Sequence, residues 1–456
     1  MNDNTVFSPS QPASDPNQGI IYESPIPWMM IIKIILGIVF LALIVFLSFK
    51  FVTAYFKGQK KENVTLVYWG LWEDEKVMNP ILREFETQNP TIKVKYIKQD
   101  PKQYRERIFA RTQNGIGPDI FRFHNTWVSM MSSLLLPLPE DVVLKKDFEK
   151  NYYQIIQKDL IRNGAIYGVP LGIDTLSLFV NTDILSSAGL GTPKTWNEFL
   201  ETAKQLTVLD SSSSGKIKTA GAAMGTYDNI NHAPDIISLL FLQNGADLKN
   251  LSEKDNASDA LSFYTGFAKP PNTVWNKDLD NSVLAFAKGE LALYFGYSWD
   301  IFTIQSIDTN LKFQIVDVPH ITGKNITIAS YWAEGVSSKS KHPKEAFLFM
   351  AFLTKKDILA KLHKEGSKTR LFGELYPRVD MADLLKENDL LYPFVRQAKN
   401  AESSFFVSDT KDNGLNDKAN EYLKRAVESV DGNTSSQTAI ETLSQGVSQV
   451  LKQYGQ

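Results

Sequence analysis

Flat aromatic side chains beside single polar groups, placed where apolar runs end, are the recurrent pattern in this chain that suits ligand chemistry. Trp72 and Glu73 follow a β-branched run at 64–69. Asn125 and Trp127 follow Ile120-Phe121, and Asp174 interrupts an apolar stretch at 167–181. Tyr297 and Trp299 follow 291–296, and Tyr331 and Trp332 stand just before Glu334. Rings of this kind stack on the apolar faces of sugars, while the isolated donors and acceptors give hydroxyls directed partners. Ordinary packing competes with this reading at each position. Trp69, at the end of a strand, is read as core, and His124 as structural. Glu73 and Asp174 can cap helices or meet lysines, and Trp127 can pack the start of a helix ahead of Val128, Met130 and Met131.

Other chemistries lack their residues. There is no cysteine, and the five histidines, His124, His232, His320, His342 and His363, are scattered. Thiolate and histidine-pair metal sites, disulfides and Cys nucleophiles are therefore excluded. No Walker loop, nucleophile elbow or dinucleotide fingerprint occurs, so neither catalytic residues nor metal or cofactor ligands are assigned. Lys plus Arg at 49 against Asp plus Glu at 51 leaves a net charge of −2, with no basic excess for nucleic acid. A carbohydrate hydrolase would need two carboxyls about 5–10 Å apart. Glu73, Asp174, Asp300 and Glu334 are the candidates, and sequence gives no pair a separation. A sensory module that passes occupancy through a membrane helix is the other alternative.

Elements must then position these groups. Residues 1–27 carry five prolines and few large apolar side chains, which reads as a disordered tail. From Trp28 the chain is apolar except for Lys33, and the stretch to Phe49 spans about 33 Å as a helix, enough to cross a bilayer. We read residues 28–50 as a retained single-pass anchor, since no small-residue cleavage site follows, and 51–62 as linker. Lys50, Lys57, Lys60 and Lys61 flank its C-terminal end, which by the positive-inside rule argues for a cytoplasmic domain. Beyond it, strand and helix periodicities alternate: a strand at 64–69, a helix carrying Val77, Met78, Ile81, Leu82 and Phe85, a strand with Ile92, Val94 and Tyr96, a helix at 104–114 and a strand at 120–121. That order predicts an α/β sheet. A continuous strand is expected over 167–181. Thr195-Trp196-Asn197-Glu198 reads as a capping box, and Ala439, Ile440, Leu443, Val447 and Val450 as a terminal amphipathic helix.

Several longer motifs occur in order: Gly117-Pro118-Asp119-Ile120-Phe121; Tyr167-Gly168-Val169-Pro170 running into 176–185; Pro193-Lys194-Thr195-Trp196-Asn197-Glu198-Phe199; Phe286-Ala287-Lys288-Gly289-Glu290-Leu291-Ala292-Leu293 with Trp299; and Lys341-His342-Pro343-Lys344-Glu345-Ala346. Over residues 64–355 this series resembles the family 1 extracellular solute-binding proteins of ABC importers, the class that includes maltose-binding protein. The resemblance implies a two-lobed, type II periplasmic-binding-protein-like α/β fold that closes over a solute. It implies one lobe from 63–172 plus 318–372 and another from 173–317 plus 373–456. It also implies a sugar held in the cleft, a separate ABC permease as partner, and an outward-facing domain in spite of the flanking lysines. By position it places Trp72, Glu73, Asn125, Trp127 and Asp174 along the cleft, and Trp299 as a binding aromatic. Tyr297, Tyr331 and Trp332 complete the candidate set from the aromatic pattern.

Overall fold

The computed structural model describes residues 27–57, 63–211, 216–253 and 255–455. The tail expected at 1–27 lies outside these residues apart from its last. The chain divides into two compact units, 1–62 and 63–456. In the first, a single helix runs Trp28–Lys57, so the start of the stretch expected as linker is helical. Its segment Trp28–Val52 has a mean hydropathy of 3.1, long and apolar enough to cross a membrane.

The second unit holds two five-stranded sheets. In the first sheet, Val64–Gly70 pairs in parallel with Ile92–Lys98 on one side and Ile120–His124 on the other. The helix Glu75–Gln88 between them buries Val77, Met78, Ile81, Leu82 and Phe85, the apolar face its spacing predicts. The Gly-Pro-Asp element serves this sheet. Asp119 accepts the Val67 N–H at 2.9 Å and the Ser340 hydroxyl at 2.6 Å, and a Cβ on Gly117 would lie 2.6 Å from the Thr112 hydroxyl. Trp332–Val336 adds antiparallel to Ile120–His124, with Trp332 opposite His124.

The second sheet is built on Ser177–Asn181, flanked antiparallel by Leu291–Gly296 and Phe313–Val316. Its helix Trp196–Leu206 opens on the expected capping box: the Glu198 N–H donates to the Thr195 hydroxyl at 3.3 Å, and the Glu198 carboxylate accepts the Thr195 N–H at 3.2 Å. The terminal helix Ser436–Gln453 buries Ala439, Ile440, Leu443, Val447 and Val450. The sheets are the cores of two lobes.

The stretch 167–181 is not one strand. Val169–Pro170 edges the first sheet, Asp174–Thr175 joins a small three-stranded sheet with Thr327–Ser330 and Ala401–Glu402, and Ser177–Asn181 enters the second sheet. Pro170 has no N–H to continue a ladder. Gly172 passes so close to Glu374 that a Cβ there would lie 2.7 Å from its carboxylate. The chain therefore turns at this point and crosses between lobes, and the small crossover sheet gathers three strands from segments linking the two larger sheets and their helices.

Candidate functional site

A cavity of about 490 Å³ opens where loops of both sheets and the crossover sheet converge. Of the residues expected to bind, Trp72, Asp174, Trp299, Tyr331 and Trp332 line it. Trp72 is 40% exposed, in the loop after Val64–Gly70, and meets Trp332 edge-on at 5.7 Å. Trp332 is braced from behind by edge contacts at 5.1 Å to both His124 and Trp127. Across the cavity, Trp299 stacks on Tyr297 at 4.4 Å with ring planes 15° apart.

That stacked pair rests on a buried polar frame. The Tyr297 hydroxyl donates to Asp235 at 2.7 Å, and the other Asp235 oxygen accepts the Ser408 N–H at 3.0 Å. Asp300 accepts the Tyr294 hydroxyl and the Tyr297 N–H, each at 3.0 Å, and faces His232 Nε2 at 2.8 Å, while His232 Nδ1 lies 2.8 Å from the Ser408 hydroxyl. Burial alone would lower the imidazole pKa, but the Asp300 carboxylate outweighs it and raises His232 to about 9. The frame thus favours an imidazolium held on Asp300 at neutral pH, beneath an aromatic plate.

Asp174 sits on the crossover sheet. Its carboxylate accepts the Ser298 N–H at 3.0 Å, the Ser298 hydroxyl, and the Thr175 N–H at 2.8 Å. Burial pushes its pKa well up against those donors. The Tyr331 hydroxyl donates to Asp159 at 2.8 Å.

Four expected residues lie outside the cavity lining. Glu73 is buried and ion-paired with Arg122, which also donates from Nε to Glu334 at 2.6 Å. Asn125 is spent on structure, donating to Asp159 and Ser403 at 2.9 Å each and accepting the Tyr331 N–H at 3.3 Å. Trp127 is fully buried between Tyr104 and Trp332. Tyr297 is fully buried as the support of Trp299. Each carboxyl considered for acid–base chemistry has its own partners: Glu73 and Glu334 on Arg122, Asp174 on Ser298, Asp300 on His232.

Sequence reasoning missed the wall formed by Phe302, Arg370, Phe372 and Glu374. Phe302 stacks on Phe372 at 4.5 Å, the Arg370 guanidinium lies 5.5 Å from the Phe302 ring, and Arg370 donates to Glu374 at 2.5 Å. It also missed Arg122 and the loop bearing Ser408, Asp409 and Lys411. Arg122 left a signal, a charge inside an apolar strand, since a buried arginine demands partners. The Arg370 to Glu374 wall left only a compact charged and aromatic cluster around Gly373. Among the described residues, no group of three or more His, Asp or Glu side chains is placed to hold a metal ion.

Residues 71–359 match the family model described as bacterial extracellular solute-binding protein. The chain is 22% identical over 379 residues to the multiple sugar-binding protein of Streptococcus mutans, covering 77% of this chain and 86% of that one. It is 22% identical over 320 residues to the galactooligosaccharide-binding protein of Bacillus subtilis, covering 66% and 70%. Its fold matches the solved sugar-binding protein MalE of Xanthomonas citri with a TM-score of 0.69 at 20% identity, over 85% of this chain and 98% of that one.

Proposed function

The chain belongs to the bacterial extracellular solute-binding protein family, and on that premise we propose that it captures a mono- or oligosaccharide between its lobes and delivers it intact to an ABC permease. The observation that carries the reading is the cavity-facing Trp299 stacked on a fully buried Tyr297, opposite Trp72 and Trp332. A rigid ring on one wall and an aromatic pair on the other offer stacking surfaces, while the Tyr331 and Asp174 side chains supply directed polar partners. The sugar-binding names of the two relatives support the same class of solute.

Binding works by differential affinity: the solute contacts both lobes only when they approach, so it shifts the population toward the closed form. Lobe boundaries at 63–172 plus 318–372 and 173–317 plus 373–456 put the swivel at the crossover sheet. The helix Trp28–Lys57 serves as a single-pass anchor, with the binding domain on the outer face where a solute-binding protein must work. The lysines at and beyond its C-terminal end are tolerated there because positive charge biases orientation without fixing it.

The test is a tryptophan-fluorescence and thermal-shift titration of the full chain in detergent against mono-, malto- and galactooligosaccharides, peptides and polyamines, with each ligand recovered afterwards. A saturable response to a sugar recovered intact is expected. Response only to peptides or polyamines, or recovery of a cleaved sugar, would overturn the proposal.

A further inference from the structure

A second cavity, of about 440 Å³, lies apart from the first and shares none of its lining residues. It is walled by the loop before the helix Trp196–Leu206, by the chain leaving the strand Phe313–Val316, and by the turn at 396–400 that leads into the crossover sheet. Three cationic side chains line it, Lys194, Arg396 and Lys399, with His320 beside them and Asp317 as the one acidic lining residue. Asp317 is engaged by Arg396, at 2.6 and 3.2 Å through one oxygen. The neighbouring Glu198 carboxylate is held by the Lys194 and Thr195 N–H groups at 2.7 and 3.2 Å. Among the described residues, neither the Lys194 nor the Lys399 ammonium forms an ion pair. The cavity is therefore lined by cationic side chains from two separate segments, with Lys194 also near the Glu198 carboxylate.

Its inner wall is Gln397, which accepts the Val318 N–H at 3.0 Å and donates to the Ser177 hydroxyl at 2.8 Å. Those two residues mark where the crossover segments join the second sheet. A ligand against Gln397 and Val318 is thus one side chain away from Ser177, which is itself buried outside the lining.

We propose that this cavity binds a compact polyanion bearing carboxylate or phosphate oxygens, held between Lys194 and Lys399, and that its occupancy tunes solute affinity through the crossovers. Converging ammonium groups on a concave wall favour multivalent oxyanions over chloride. The cavity shares no lining residue with the first, so the anion titration on the solute-free chain stands or falls without the sugar reading.

The test titrates inorganic phosphate and citrate into the full chain in detergent at constant ionic strength, reading the unfolding temperature, with sodium chloride as control. A saturable rise is expected with phosphate or citrate and none with chloride. It should vanish in the Lys194→Gln, Lys399→Gln double variant, whose solute affinity without anion should equal that of the parent. Both lysines are exposed, so the variant should keep the parent's circular dichroism. Coupling between sites is reciprocal and, when present, changes affinity about fivefold or more; the saturating anion should shift solute affinity by such a factor in the parent chain and not in the variant. A rise that fails to saturate, or that persists in the variant, would overturn the site. Equal solute affinity with and without anion would overturn its regulatory role.

Discussion

Trp299 and Tyr297 divide one task, the upper ring facing the cavity and the lower ring fixing the upper. Trp299→Ala should therefore weaken sugar binding by about 1–3 kcal/mol, roughly 5- to 150-fold, with little change in unfolding temperature. Tyr297→Phe should do the reverse in part. It strips a buried Asp235 of its 2.7 Å donor and should cost about 1–3 kcal/mol of stability in denaturant unfolding. Arg122→Met leaves Glu73 and Glu334 buried without their cation and should cost about 3–5 kcal/mol. The buried charges also set a pH profile. Burial, together with the neighbouring Glu374 carboxylate, raises Glu73 above its ordinary 4.5 in spite of Arg122, so over that range the folded chain keeps a proton that the unfolded chain releases. That stabilisation is complete below about pH 4.5 and is lost as pH rises through the raised folded-state value. His232, raised from 6.5 to about 9, contributes fully below 6.5 and loses its share as pH rises through 9. The unfolding temperature should fall from mildly acidic to alkaline pH, and Glu73→Gln should flatten the acid-side part of that fall. At this scale Trp72, Asp174, Trp299, Tyr331 and Trp332 were legible as cavity-facing from residue type and position. Glu73 and Asn125 were not, because sequence shows a polar side chain without showing that Arg122 or Asp159 already holds it.

Among the elements, those with local causes were readable. The face of Glu75–Gln88, the capping box at Thr195 and the terminal helix each follow from spacing within one or two turns. Thr195→Ala should cost about 0.5–2 kcal/mol in denaturant unfolding, with Thr195→Ser recovering most of it. The stretch 167–181 was misread as one strand because what breaks it is distant in sequence: Glu374 crowds Gly172, and the partners of Asp174–Thr175 come from Thr327–Ser330. The wall of Arg370, Phe372 and Glu374 was hidden for the same reason. Its turn depends on Gly373, where a Cβ would lie 2.1 Å from the His363 carbonyl. Gly373→Ala should displace Phe372 from Phe302 and weaken both stability and binding, read as a lower unfolding temperature and a larger Kd.

For the whole molecule, the sequence carried the α/β class and the two-lobed family through motifs spread in order along residues 64–355. Net charge and composition argue against nucleic acid but do not select a solute, since the cavity proposed to select it is assembled from segments nearly 340 positions apart, Trp72 to Lys411. The proposed anchor belongs to the N-terminal unit alone. Deleting residues 1–62 should release a soluble chain whose sugar affinity matches the parent within about twofold, as expected for a separate compact unit. In intact cells stripped of their wall, external protease should digest the domain of the full chain; complete protection would place it in the cytoplasm and contradict an outward-facing receptor.

The most direct measurement is a crystal structure of the chain with the sugar that binds it best. An intact sugar ring stacked on Trp299, with Trp72 or Trp332 on its other side and its hydroxyls within hydrogen-bond reach of Asp174 or Tyr331, is the predicted result. A sugar bound elsewhere, or one cleaved in the cavity, would contradict the account.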